Sequence, residues 1–321
     1  METAEILKKA KDIKILVCGD LMLDIYEFCE TKNSKEIPSE KTGKRAYHAV
    51  QMIKTLGGAG NVAMNLEKLG CQVALAGLVG DDGNAVTIDK IIKTTKIEPC
   101  VLTDSERPTT TKSRIYVDKQ YLLRRDEEST TPMNDDLAQN LIEKIKSFAA
   151  KLDAVVISDY AKGFFTPKLT SEIIKIFKEK NKPVIVDMKP ENIELYADAD
   201  LIIPNELEAR QVCPNFNTNQ LQNSTKELYD KLNCKNLMVT LGEKGIAGFG
   251  ENGFFHQSTK SVDVVDAVGC GDTVRASIAI GTVLGLSQAD NANFANLVAS
   301  VAVRKLGTSV VTPEEVMAQL E

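Results

Sequence analysis

The chain has 321 residues, 43% of them hydrophobic, and carries 39 Lys plus Arg against 45 Asp plus Glu, a formal net charge of -6. A chain of this size and apolar content buries a substantial core, and its acidic balance gives no global electrostatic case for nucleic acid or an anionic membrane as partner, so phosphate-binding cations have to be local. Seven cysteines without a C-x-x-C pair argue against a zinc knuckle or a complete disulfide framework, and two histidines, His48 and His256, argue against a His-based triad or a multi-His metal site. With an amphipathic charged start over residues 1–12 and no apolar run of membrane-crossing length, a cytoplasmic protein is expected.

Short β-branched runs alternate along the chain with longer helical patterns. In order, residues 13–18 read as a strand, 60–69 as a helix, 72–78 as a strand, 134–151 as a helix, 154–157 as a strand and 170–180 as a helix. Residues 183–186 and 201–203 then read as strands, 206–212 and 225–232 as helices, and 237–241 as a strand. From Thr273 onward the pattern is helical, with residues 294–306 rich in Ala, Val and Leu. This alternation predicts an α/β fold, a mainly parallel sheet covered by helices. Residues 26–53 and 108–123 break the rhythm with more polar, alternating patches. They read as strands of a small β sheet over one end of the main one, where it could act as a lid, because ligands of open α/β folds bind outside the carboxyl ends of the strands. No long linker and no fixed repeat interrupts the chain, so residues 1–321 are expected to form one domain with a lid.

Several short segments carry candidate chemistry. Asp20 and Asp24 follow the first strand, where carboxylates can accept hydrogen bonds from vicinal hydroxyls, Asp24 being the better candidate. Gly57, Gly58, Ala59, Gly60 and Asn61 open a helix whose free N–H groups could face a ligand, and Asn61 can both donate to and accept from a sugar hydroxyl; a plain tight turn is the alternative. Lys112, Arg114, Arg124 and Arg125 cluster in or beside the second lid segment, and Lys162 and Lys189 follow strands, so an anionic substrate could meet several cations there. Asn205 and Glu208 would share the first turn of one helix, either holding Mg²⁺ through its water shell or complementing the helix dipole. No Walker A loop occurs, and Gly248, Gly250 and Gly253 spell G-x-G-x-x-G ahead of a strand, which reads as a hairpin. In Val265 to Thr273, a turn at Gly269, Cys270 and Gly271 frees backbone N–H groups at a helix start and forms a site for a phosphate. Asp272 beside it reads either as a base taking a proton from an attacking hydroxyl or as the N-cap of a helix beginning near Thr273.

Taken together, residues 57–61 with Gly70, residues 158–163, Asn205 with Glu208, residues 240–245 and residues 266–273 resemble the ribokinase-like (PfkB) carbohydrate kinases over nearly the whole chain. More narrowly, residues 158–163, 112–126 and 272–274 resemble the kinase half of the bifunctional heptose 7-phosphate kinase/adenylyltransferase. The resemblance implies a three-layer ribokinase-like sandwich with a small β lid, and ATP-dependent phosphorylation of the anomeric hydroxyl of D-glycero-D-manno-heptose 7-phosphate. In that reading Asp272 is the base, Gly269, Cys270 and Gly271 form the anion hole, and Asn205 and Glu208 organise Mg²⁺ through water. Thr240, Gly242 and Gly245 would border the ATP nucleotide, with Asn296, Ala299 or Val303 near the adenine, and Lys189 would approach the phosphates. Asp24, Gly58 and Asn61 would hold sugar hydroxyls, Lys112, Arg114 and Arg125 would face the sugar phosphate, and Lys162 would also bind the substrate. A homodimer formed through the lid is expected. Other readings are a kinase of another sugar or nucleoside, or a non-catalytic kinase-like binding module. The chain departs from the family pattern at Cys270, usually Ala, at Val268, commonly Thr, and at Met188-Lys189-Pro190, usually Pro-Lys-Gly. It departs again at Arg275, a position usually small or apolar, where the side chain would either meet ATP phosphates or crowd the site.

Overall fold

A computed structural model of the chain describes residues 1–36, 45–259, 262–305 and 307–320. Helix α1 (Thr3–Ala10) leads into β1 (Lys14–Gly19), after which the chain leaves for two long antiparallel strands, β2 (Leu21–Glu36) and β3 (Arg45–Gly58). It returns through α2 (Ala59–Lys68), β4 (Gln72–Val79), α3 (Gly83–Ile92) and β5 (Glu98–Thr103), then leaves again for the hairpin β6 (Thr111–Val117) and β7 (Gln120–Glu127). There follow α4 (Asp135–Phe148), β8 (Ala154–Ser158), α5 (Pro167–Lys178), β9 (Val184–Asp187), β10 (Leu201–Ile202), α6 (Glu206–Val212), α7 (Leu221–Leu232) and β11 (Leu237–Thr240). A second hairpin, β12 (Ile246–Gly250) and β13 (Gly253–Gln257), precedes α8 (Cys270–Val283), α9 (Gln288–Ala302) and α10 (Pro313–Ala318).

Two sheets result. The large one has the order β13-β12-β11-β10-β9-β8-β1-β4-β5, parallel from β5 to β11 with β12 and β13 antiparallel at one edge. Alternate residues of β1 face opposite layers: Ile15 and Val17 pack with α1, α2, α3, α8 and α9, whereas Leu16 and Cys18 pack with α4, α5, α6 and α7. The strands are therefore buried on both faces, which is why they read as continuous apolar runs. The small sheet has the order β3-β2-β6-β7 and grows from the carboxyl end of β1, since β2 starts two residues after it. Both expected accessory segments belong to this sheet, which extends further, from Leu21 to Glu127; residues 37–44 of the first segment lie outside the described residues.

Differences from the sequence reading have local causes. Strand β5 carries Pro99 at the edge of the sheet, where a missing N–H is tolerated but the strand pattern is weakened. Helix α3 buries Ile88 and Ile92 and is started by Asp82, whose side chain accepts from Asn84 and Ala85 N–H at 2.9 Å, so it rests on its cap more than on an apolar stripe. Helix α5 begins at Pro167, three residues before the expected start, because Thr166 caps it and Pro suits the first turn. The G-x-G-x-x-G run is a hairpin, Gly250 pairing with Gly253. No described helix is long and apolar enough to cross a membrane.

Where the chain leaves the large sheet for the small one, β1 and β8 approach each other closely. A β-carbon on Gly19 would lie 2.0 Å from the Ser158 carbonyl oxygen, and Asp20 N–H donates to that same oxygen at 3.2 Å. Gly19→Ala should therefore push β1 from β8 where the chain departs for the small sheet, lowering stability by about 1–3 kcal/mol as overpacking does. A fall in the thermal or denaturant midpoint measures it, and an unchanged midpoint would show that the strands can part at no cost.

Candidate active site

The carboxyl ends of the parallel strands deliver Ser158, Asp159, Asp187 and Thr240 to one end of the large sheet, below the small sheet. Helix α8 starts there. Its N-cap is Gly269, with φ +76°, a conformation that favours glycine, and it makes no side-chain cap. The helix therefore begins at Cys270 rather than near Thr273, and Asp272 lies inside the first turn: the capping reading of Asp272 is overturned.

The Asp272 carboxylate is instead held by two side chains remote in sequence. Tyr160 Oη donates to its Oδ1 and Asn61 Nδ2 to its Oδ2, each at 2.7 Å. Asn65, one turn further along α2, donates to Asn61 Oδ1 at 3.2 Å and accepts from Thr273 Oγ1 at 3.0 Å, which fixes the Asn61 amide orientation. Burial raises the Asp272 carboxyl above its ordinary range, while the Arg275 charge and the Tyr160 and Asn61 hydrogen bonds pull it back and the Asp24 carboxylate adds to the rise. The result is a carboxylate more basic than usual, accepting two fixed donors. Burial, with the Asp272 charge, drives the Tyr160 hydroxyl upward, so it stays a donor.

Tyr160 itself is set by a buried carboxylate framework. Asp20 Oδ2 accepts from Tyr160 N–H at 2.7 Å and from Lys162 N–H at 3.3 Å, and burial followed by the nearby Asp159 charge pushes its carboxyl up to about 7. Asp159 accepts from Asn192 Nδ2 at 2.9 Å and Tyr196 Oη at 2.6 Å. Lys189 binds Glu208 and its ammonium lies 5.5 Å from the centre of the Tyr160 ring.

On one side of Asp272 opens a cleft of about 850 Å³ that includes Thr240, Gly242, Gly245, Cys270, Gly271, Asn296, Ala299 and Val303; of the residues expected at the nucleotide, Lys189 and Glu208 do not line it. Asn205 joins it through a parallel bridge to Thr240. Asn205 and Glu208 form a reciprocal capping box: Asn205 Oδ1 accepts from Glu208 N–H at 2.9 Å and Glu208 Oε2 from Asn205 N–H at 2.8 Å. With Lys189 on Oε1, all three side-chain oxygens already have donors. Such oxygens fit a cation held through water rather than by direct ligation, and no cluster of three or more His, Cys, Asp or Glu suited to a metal occurs among the described residues. The expected anion hole is corrected at Cys270: its N–H is not free but donates to Ala267 O at 3.2 Å, because the turn into α8 closes on itself there. Burial pushes the Cys270 thiol up to about 11, so the Cys in place of Ala adds no charge. Val268 N–H donates to Asp266 Oδ1 at 3.0 Å, whose other oxygen accepts from Gly307 N–H at 2.9 Å.

On the other side lies the small sheet. Asp24 is buried against Gly57, and its Oδ1 accepts from Arg114 Nη1 at 2.9 Å. Asp24 pairs with Thr55 and lies against Gly57, and Gly58 ends β3 immediately before α2, which carries Asn61. Strand register puts Asp24, Lys112, Arg114, Arg124 and Asp126 on one face. Lys112 pairs with Asp126 at 3.4 Å, Lys162 with Glu128 at 2.8 Å and Arg124 with Asp126 at 2.9 Å. Arg125 faces the opposite way, its side chain 69% exposed and paired with Glu127 at 3.5 Å. The expected grouping of Arg125 with Lys112 and Arg114 is corrected: Arg124 takes that place, because neighbouring strand residues point to opposite faces. Sequence reasoning also missed the Tyr160 hydroxyl and Asp187. Asp187 ends an apolar strand, the same signal that singled out Asn205, whereas the Tyr160 contact spans 112 residues and leaves no local trace.

Comparison with known proteins agrees with this architecture. Residues 12–315 match the pfkB family carbohydrate kinases. The bifunctional protein HldE of Trichlorobacter lovleyi is 35% identical over 318 residues, covering 98% of this chain and 64% of its own length. That of Helicobacter acinonychis is 34% identical over 310 residues, covering 94% and 65%. The chain thus spans less than two thirds of the length of these relatives. Among solved structures, phosphofructokinase-2 of Escherichia coli in complex with potassium has a TM-score of 0.76 at 16% identity, covering 95% of this chain and 97% of its own. Arabidopsis thaliana ribokinase complexed with ribose and ATP has a TM-score of 0.72 at 23% identity, covering 96% and 98%. At these identities the structures speak for the fold.

Tyr160→Phe removes one of the two donors that hold down the Asp272 carboxyl, so that group should titrate at a higher pH than in the parent protein. Carbon-13 NMR of labelled aspartate carboxyls reads the shift, and an unmoved titration would remove Tyr160 as its donor.

Proposed function

The chain belongs to the pfkB family of carbohydrate kinases, and from that premise we propose that it transfers the γ-phosphoryl group of ATP to the anomeric hydroxyl of D-glycero-D-manno-heptose 7-phosphate. The product would be the 1,7-bisphosphate, a precursor on the way to ADP-heptose and the lipopolysaccharide core. The observation that carries this reading is the position of Asp272, buried between the cleft at Gly271 and the Asp24 face of the small sheet, with two fixed donors and a raised carboxyl. The 35% identity to bifunctional HldE proteins supports the choice of acceptor, as does the gathering of Lys112, Arg124 and Lys162 beside Asp24 and Arg114.

In the proposed reaction ATP occupies the cleft and the sugar lies under the small sheet, which closes over it as a lid of a single domain spanning residues 1–321. The acceptor oxygen bonds to the γ-phosphorus as the bond from that phosphorus to its bridging oxygen breaks, ADP takes the leaving electron pair, and the hydroxyl proton passes to Asp272. Asn61 and Tyr160 hold that carboxylate in line. Asp24, Gly58 and Asn61 orient the sugar hydroxyls. Lys189, beside Tyr160, faces the phosphates. Gly269 and Gly271 approach the transferred group at the positive end of α8. Mg²⁺, held through water near Asn205 and Glu208, would neutralise phosphate charge. The seven free thiols suit the reducing cytoplasm as its location.

We further propose that two copies pair through the outer face of the small sheet. One cross-strand row there runs Met52, Glu27, Ile115 and Leu123, opposite to the Asp24 face, and leaves Met52 52% and Leu123 44% exposed.

ADP release measured with MgATP and a panel of sugars should be greatest with heptose 7-phosphate; activity confined to unphosphorylated sugars would remove the role given to Lys112, Arg124 and Lys162. Asp272→Asn should lower turnover by about 10²–10⁴-fold, the usual range for a lost general base, and an unchanged rate would end its assignment. A Met52→Glu, Leu123→Glu double variant should sediment as a monomer; a parent protein that is itself monomeric would refute the dimer.

A further inference from the structure

Arg275 occupies a place that neither the capping geometry nor the two donors on Asp272 explain. It is one turn into α8, 7% exposed, with its Nε 2.6 Å from Asp187 Oδ2. The approach is close but misaligned: Arg275 Nε and Asp187 Oδ1 are both buried without a hydrogen-bond partner among the described residues. Native proteins rarely leave buried charged groups in that condition unless something else completes them.

Its guanidinium folds back along the helix toward the N-terminus, as long helical side chains do. A β-carbon on Gly271 would meet Arg275 Nη1 at 2.2 Å, so the guanidinium rests on the backbone of Gly271, the residue that lines the cleft. Two positive features therefore converge at one point, the amino end of α8 and the fixed guanidinium. Asp187 offsets one of them. A cation beside a helix amino end is unfavourable by itself and becomes favourable when an anion joins. Nη1, packed on Gly271, and Nη2 form the outer edge of the guanidinium, a planar pair of donors.

Resting on the kinase reading, we propose that Arg275 is a phosphate-binding residue of this site: anchored by Asp187, it donates from Nη1 and Nη2 to the transferring phosphoryl group at Gly271. Its effect falls on the terminal phosphate of the nucleotide, and most strongly as negative charge is redistributed during transfer. Gly271 is then required for space, since any side chain there would displace the guanidinium. The same charge is the largest influence lowering the Asp272 carboxyl, so it favours the ionised form of the neighbouring base.

Isothermal titration calorimetry without turnover tests this directly, using the β,γ-imido analogue of ATP, ADP and adenosine. Arg275→Met should weaken the analogue by about ten-fold or more, the loss of a charge-assisted hydrogen bond, and leave adenosine unchanged. Arg275→Lys should fall between. The double variant Asp187→Asn, Arg275→Met removes both buried charges together, so it should fold even where the single variant does not, and it should still bind the analogue weakly. Recovery of tight binding in the double variant would show that Arg275 only balances Asp187, and parent-like binding in Arg275→Met would overturn the proposal outright. If the parent protein turns over no sugar phosphate, the choice of acceptor fails, while the comparison of analogue, ADP and adenosine decides the role of Arg275 by itself.

Discussion

A carboxylate inside a protein is costly unless donors and charge surround it, and Asp272 imposes that constraint on the rest of the site. Its two oxygens draw in Asn61 from α2 and Tyr160 from the loop after β8, segments 211 and 112 residues away. Each donor has to be held in turn. Asn65 and Thr273 fix Asn61, and Asp20 fixes the backbone of Tyr160. Asp20 sits where β1 ends and the small sheet begins, so the same residue that holds the Tyr160 loop also marks the departure of the accessory strands. The fold around the site is thus a set of nested carboxylate anchorages, which explains why its polar residues are buried in an otherwise apolar layer.

Strand alternation divides the work of the small sheet. The face carrying Asp24, Lys112, Arg114 and Arg124 turns toward Asp272, and the face carrying Glu27, Met52, Ile115, Leu123 and Arg125 turns away. One ribbon thereby carries a charged face and a second face on which Met52 and Leu123 stand exposed. Arg114 ties the small sheet to the loop after α9: it binds Asp24 and lies 5.3 Å from the centre of the Tyr26 ring, and Tyr26 Oη accepts from Thr308 N–H at 3.1 Å, beside Gly269 at the start of α8.

The large sheet was legible in the sequence because its strands are buried on both faces and therefore read as short apolar runs, as in residues 154–157 and 237–241. Helices with a strong apolar stripe, such as α4 and α5, were legible within a few residues for the same reason. Some of what escaped at the site depends on information that no window of sequence contains. The start of α8 rests on the positive φ of Gly269, and the correction of Arg125 to Arg124 rests on register between β6 and β7. A motif locates Asp272 to one residue. It does not tell which distant hydroxyl holds it.

The cations around the site are matched by carboxylates already in the chain: Arg275 by Asp187, Lys189 by Glu208, Arg114 by Asp24, Lys162 by Glu128, and Lys112 and Arg124 by Asp126. This arrangement differs in kind from an open basic patch, which binds any polyanion through long-range attraction. A ligand gains from Arg275, Lys189 or Arg114 only by providing an acceptor in the right place, because withdrawing that cation leaves a buried carboxylate, Asp187, Glu208 or Asp24, unpaired. Under the proposed function, a molecule placing hydroxyls on Asp24 and a phosphate among Lys112, Arg124 and Lys162 would replace each contact as it breaks it. Pairing of this kind converts charge into selectivity, and it reconciles a net charge of -6 with a site built for anions.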